Sequence, residues 1–96
     1  MSGRLEKVIS NRITDNPNMM VPYYLMTSYA YYVEDDPIVS DSFYDKLAKK
    51  LLKEFDNIEH YHKKVIDKDA LSAGSFLGEY PLIVKGALHD FKKKFQ

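Results

Sequence analysis

Apolar positions recur along this chain at steps of three and four. In GRLEKVISNRITD, the residues Leu5, Val8, Ile9 and Ile13 form one stripe, which predicts a short amphipathic helix. The segment DNPNMMVP carries two prolines and two asparagines, which end that helix and begin another. Pro22 suits a first turn, so a second helix is expected from about Pro22 to Glu34. EDDPIVSD is the connection: the residue before Pro37 is steered out of the helical region, and Ser40 or Asp41 can cap the next helix. This third helix is expected from about Asp41 to Phe55, because Leu47, Leu51 and Phe55 repeat every four residues while lysines take the other side. NIEHYHKKVIDKD is expected to continue as a fourth helix after a bend near Asp56 and Asn57, and ALSAGSFLGEYP reads as a loop. A last helix is predicted from Pro81, with Val84, Leu88, Phe91 and Phe95 on one face and a lysine run at its end. No repeat, low-complexity tract or strand pattern interrupts this. The predicted fold class is all-α: a small single domain over 1–96, four to five helices around a central helical hairpin.

Composition narrows the function more than the fold. Ninety-six residues leave room for one modest core and no second catalytic domain. Lysine plus arginine (14) balances aspartate plus glutamate (14), so no overall field recruits nucleic acid or an anionic membrane. With no cysteine, disulfides and thiolate metal sites are excluded. The N-terminal residues lack a signal-peptide apolar run, and no stretch approaches membrane-spanning length. A soluble cytoplasmic protein is the expectation.

The candidate chemistry lies in YAYYVEDDPIVSDSFYDKL, Tyr29 to Leu47, where four tyrosines and five acidic residues share nineteen positions. On the third helix Asp41, Tyr44 and Asp45 stand at i, i+3 and i+4 and share a face. On the second, Tyr24, Ser28, Tyr31 and Tyr32 occupy adjacent rows near its end. A short connection makes the two helices antiparallel neighbours, bringing tyrosines against a tyrosine and two carboxylates. Such a cluster suits a flat heteroaromatic ring on a sugar, with phenols to stack on it and carboxylates to accept its hydrogen bonds. The same spacing also serves half-buried core tyrosines and charges that favour a helix N-terminus. Spacing alone leaves both readings open.

The stretch YAYYVEDDPIVSDSFYDKLAKKLLKEFD resembles the N-terminal helical module, domain Ia, of bacterial NAD-dependent DNA ligases. That family shows a tyrosine followed by tyrosine or histidine, an aspartate-x-proline turn, an aspartate, and after two residues YD-x-L. Here these pieces are Tyr31-Tyr32, Asp35-Asp36-Pro37, Asp41 and Tyr44-Asp45-Lys46-Leu47. The resemblance covers about residues 22–60, leaving 61–96 as a C-terminal helical extension. It implies a module that grips the nicotinamide mononucleotide half of NAD and presents the dinucleotide to a nucleotidyltransferase domain. By motif position, Tyr31 and Tyr44 are then the pair that sandwiches the nicotinamide ring. Asp41 and Asp45 fix its ribose or carboxamide. Tyr32 stands where many members place a histidine near the phosphate; a phenol donates a hydrogen bond there without becoming cationic.

The lysine motif K-x-D-G of the nucleotidyltransferase domain does not occur in these residues, so no ligase activity is expected of the chain alone. It reads as a stand-alone relative of the kind a phage or mobile element carries. Its function is expected to be that of a binding module for NAD or nicotinamide mononucleotide. Two alternatives accompany it: a subunit or regulator that supplies the NAD site to a separate adenylylation domain or a host DNA ligase, and a protein-interaction scaffold that has lost the ligand. No metal is expected, since His60 and His62 sit two apart and point to different helix faces. Lys92, Lys93 and Lys94 are expected to complement the helix dipole or to serve solubility at a solvated helix end, rather than to bind nucleic acid.

Overall fold

The first apolar stripe becomes helix α1 (Ser2–Asp15) in the computed structural model, which describes residues 2–60, 63, 64, 66 and 80–95. Leu5, Ile9 and Ile13 are buried along it, with Val8 packed beside them. Asn16 ends the helix by taking extended backbone, and its side-chain oxygen accepts from the Asn18 N–H at 3.2 Å. This starts a 3-10 turn, Pro17–Met19, that runs directly into α2 (Met20–Tyr32). The Met20 N–H bonds back into that turn, so α2 begins two residues ahead of the predicted Pro22.

Helix α2 is the centre of the fold. Met20, Val21, Tyr23, Tyr24, Leu25 and Met26 are all buried along it, the signature of a helix covered on every side. It ends at Tyr32 rather than Glu34 because Asp35 adopts a left-handed conformation, φ 51°, which turns the chain so that the Asp36 N–H reaches the Ala30 carbonyl at 2.9 Å. Aspartate is among the few residues that tolerate this region.

Helix α3 (Asp41–Glu54) folds back on α2 to complete the expected hairpin. Ser40 is its N-cap, accepting from the Phe43 N–H at 3.1 Å, and the Ser40 N–H donates to Glu6 of α1 at 2.8 Å. Tyr44, Leu47, Ala48 and Leu51 are buried, while Phe55, expected on the same row, is half-buried in a 3-10 turn, Phe55–Asn57. Helix α4 (Leu82–Phe95) lies against another side of α2 through Val84, Leu88 and Phe91. Burying a side chain such as Leu51 or Leu88 contributes about 1.5–3 kcal/mol.

Among the described residues there are four α-helices and no strand, so the all-α class holds. The predicted fourth helix does not begin where expected. Ile58 is buried in extended backbone (φ −84°, ψ 135°), and the Glu59 N–H donates to Asn18 Oδ1 at 2.9 Å, which ties this segment to the α1–α2 connection. Single turns close at Lys63 and Ile66. The rest of that prediction, and most of the loop expected over 70–81, lie outside the described residues. No described helix is long and apolar enough to cross a membrane.

Candidate functional site

Steps of four and three place Tyr24, Ser28 and Tyr31 in one row along α2. Tyr24 and Tyr31 are then about 10.5 Å apart along the axis. The ring of Tyr44, carried by the second turn of α3, enters this row between them. It lies 5.5 Å from Tyr24 with planes 14° apart, and 6.2 Å from Tyr31 with planes 9° apart. Three phenol rings thus stand nearly parallel, in the order Tyr24, Tyr44, Tyr31. Tyr32 meets this stack by its edge, at 4.9 Å from Tyr31 and 6.4 Å from Tyr44.

The rings differ in how firmly they are held. Tyr24 and Tyr44 belong to the core, whereas Tyr31 is 38% and Tyr32 51% exposed. The Tyr44 hydroxyl donates to Ser28 Oγ at 3.2 Å, and Ser28 Oγ in turn hydrogen bonds the Tyr80 hydroxyl at 2.8 Å. Tyr80 packs edge-on against Tyr29 at 5.1 Å. Burial pushes the phenols of Tyr24, Tyr44 and Tyr80 above the ordinary tyrosine range, furthest for Tyr24, where the neighbouring Tyr44 hydroxyl adds to the effect. These three phenols are therefore neutral at physiological pH, with hydroxyls able to donate and accept.

Of the predicted site residues, the structure brings Tyr31, Tyr32 and Tyr44 into mutual ring contact. Asp41 and Asp45 stand in the first two turns of α3 and are exposed. Asp45 forms an ion pair with Lys49 of its own helix at 3.0 Å. Neither carboxylate is drawn into the tyrosine stack. Both flank it on the stretch of helix that delivers Tyr44, Asp41 one turn before that ring and Asp45 directly after it.

The turn after Tyr31 and Tyr32 is anchored from the far end of the chain. Lys92 of α4 donates to Asp36 at 2.9 Å and to Glu34 at 3.3 Å, while His89 Nε2 lies 2.8 Å from Glu34. The sequence reading has Lys92 ending a helix in solvent beside Lys93 and Lys94. Its side chain is instead only 18% exposed, because the two carboxylates of the turn hold it across α4. The His89 hydrogen bond, more than that of Lys92, draws the Glu34 carboxyl below its ordinary value against the opposing effect of burial. Burial works against the Lys92 ammonium, but hydrogen bonds to Asp36 and Glu34 outweigh it and raise its value.

The family model described as "DNA ligase-like, N-terminal NAD+-binding domain" matches residues 23–72. The chain belongs to this family. No solved structure matches the chain. The match takes in α2 from Tyr23 on, the Asp35–Pro37 turn and α3, so all the tyrosines of the stack fall within it, and Tyr80 does not. Helix α4 also lies beyond it.

Ser28 and Tyr80 are not among the ligand contacts that the sequence singles out. Ser28 carries a signal, since it shares a row with Tyr24 and Tyr31. Tyr80 carries none, being 52 positions from the serine it bonds. Among the described residues no group of three or more histidine, aspartate or glutamate side chains is arranged to hold a metal ion.

Proposed function

We propose that the chain is a cytoplasmic module that holds the nicotinamide mononucleotide half of NAD, with Tyr31 and Tyr44 as the two walls of the ring site. The near-parallel pairing of these rings, 6.2 Å apart, is the observation that carries the proposal. A flat ring between two others needs two contacts of about 3.5 Å, or about 7 Å in all. The planes are near parallel and no further apart than the 6.2 Å between their centroids, so the pair opens by about 1 Å or more to admit a ring. Tyr31, which is exposed, is the wall that yields, and Tyr44, hydrogen bonded at its hydroxyl and backed by Tyr24, is the wall that stays. Tyr32 closes the edge and offers its hydroxyl toward the phosphate. Asp41 and Asp45 accept hydrogen bonds from the ribose or carboxamide. The neighbouring carboxylates also give the cationic pyridinium a favourable field.

Exposure of Tyr31, Tyr32 and Val33 in one stretch supports a second reading, in which the bound dinucleotide is presented to a separate nucleotidyltransferase domain or a host DNA ligase. In that role the module supplies the nicotinamide site and the partner the reactive lysine.

The test is a two-dimensional NMR titration of the full chain with nicotinamide mononucleotide, NAD and AMP. Shifts centred on Tyr31, Tyr32, Asp41, Tyr44 and Asp45 with the first two ligands, and none with AMP, are expected. No shift at millimolar nicotinamide mononucleotide would sink the proposal and leave the interaction scaffold as the better account.

A further inference from the structure

The stack is braced by a part of the chain that the family match does not reach. Ser28 is fully buried in the middle of α2, where a serine hydroxyl commonly turns back to a carbonyl of the preceding turn. That option is taken by its neighbour: Thr27 Oγ1 donates to the Tyr23 carbonyl at 2.8 Å and to the Tyr24 carbonyl at 3.1 Å. Ser28 Oγ instead faces two tyrosine hydroxyls from different elements, Tyr44 of α3 and Tyr80 just ahead of α4. One hydroxyl accepts from Tyr44 and keeps a proton or a lone pair for Tyr80, so both bonds are satisfied together. Tyr80 is itself held on two sides. Its ring sits edge-on to Tyr29, and Pro81 after it restricts its backbone to extended conformations.

The consequence concerns the angle of a ring. Tyr44 stays within 9° of parallel to Tyr31 although the two rings stand on different helices. Packing against Tyr24 holds one face of the ring, while a hydrogen bond at its far end fixes the direction of its long axis and, because a phenolic O–H prefers the ring plane, favours one tilt about that axis. Ser28 ties that end, and Tyr80 fixes the serine rotamer. On the basis of the nicotinamide reading, we propose that Ser28 and Tyr80 are positioning residues of the ring site. The segment leading into α4 thereby holds Tyr44 parallel to Tyr31 and sets the opening that a flat ring enters. The same arm acts a second time at the other wall, where Lys92 and His89 bind the Glu34 and Asp36 side chains of the turn after Tyr31 and Tyr32.

The experiment compares the full chain with Ser28→Ala, Tyr80→Phe and the double variant, each at a temperature where unfolding measurements show it folded. Two readouts are taken. Without ligand, aromatic NMR follows the Tyr44 hydroxyl proton and ring. Ser28→Ala is expected to speed exchange of that proton with water and to shift the ring resonances, and Tyr80→Phe to do the same to a smaller degree. With nicotinamide mononucleotide, the dissociation constant is expected to rise about tenfold in Ser28→Ala and severalfold in Tyr80→Phe, the range that loss of one buried hydrogen bond commands. The double variant is expected to bind no worse than Ser28→Ala, since both changes cut one chain of bonds. A purely structural role would lower stability and leave the dissociation constant of the folded protein within about twofold of wild type. That result, or an unchanged Tyr44 hydroxyl in Ser28→Ala, overturns the proposal. Failure of the wild-type protein to bind refutes the nicotinamide reading instead. The ligand-free readout then still decides the bracing, with faster exchange upholding it and unchanged exchange rejecting it.

Discussion

Replacing each wall of the ring site by alanine separates ligand binding from folding, because the two tyrosines are buried so differently. Tyr44 is 8% exposed, wedged between Tyr24 and Tyr31, with its hydroxyl on Ser28. Truncating a buried aromatic side chain costs about 3–5 kcal/mol, and here the Ser28 hydroxyl also loses a partner. A domain of this size has roughly 5–15 kcal/mol in total, so Tyr44→Ala sits near the edge of folding and says little about the ligand. Tyr31 is 38% exposed, at the end of the stack that borders solvent. Its removal is expected to cost about 1 kcal/mol, the ordinary range for a half-exposed side chain. For the ligand the order is reversed. Losing one stacked wall removes about 0.5–1.5 kcal/mol beyond the area it covered, together about 2 kcal/mol, or roughly thirtyfold in the dissociation constant. Urea unfolding followed by circular dichroism measures the first quantity and NMR titration with nicotinamide mononucleotide the second. A Tyr31→Ala protein that loses more than about 2 kcal/mol of stability, or binds within about threefold of wild type, refutes the assignment of Tyr31 as the exposed wall.

Three further outcomes are expected. A Cβ built at Gly86 meets nothing within 4 Å, so Gly86→Ala in the interior of α4 should raise stability by about 0.5–1 kcal/mol, read as a melting temperature several degrees higher. Ser40→Ala removes the acceptor for the Phe43 N–H while Glu6 still holds the Ser40 backbone, so a loss of about 1 kcal/mol is expected on chemical denaturation. Glu34 has its folded value drawn down by His89 and then Lys92, so its contribution is fully present above the ordinary value of 4.5 and is lost as the pH falls through the lower folded value. Glu34→Gln lacks that component, and its stability should change less than that of wild type as the pH is lowered below 4.5.

What the sequence revealed was local. The α1 stripe of Leu5, Ile9 and Ile13, the Ser40 cap and the Leu47 and Leu51 row of α3 all arise from spacing within a few residues, and each formed as expected. The motif in Tyr31-Tyr32, Asp41 and Tyr44-Asp45 likewise located the place where three aromatic rings meet. The sequence did not reveal which of those rings is core. Tyr44 and Tyr31 look alike in a helical pattern, and only the insertion of α3 into the α2 row between Tyr24 and Tyr31 makes one ring buried and the other exposed. Long-range pairs were equally silent. Ser28 with Tyr80, and Lys92 with Glu34 and Asp36, join residues more than fifty positions apart, and nothing local in a lysine run announces that its first member crosses to a distant turn. Ile58 shows the opposite failure. Its neighbours have helical spacing, but the backbone extends there so that one apolar side chain is buried and Glu59 reaches Asn18.

The most direct test of the central claim is an intermolecular NOE experiment on the chain saturated with nicotinamide mononucleotide. Contacts from the pyridinium protons to the rings of both Tyr31 and Tyr44 in the same complex are predicted, with Tyr24 too far behind Tyr44 to give any. Binding without contacts to either ring, or contacts to only the exposed face of Tyr31, would contradict a sandwich between the two helices.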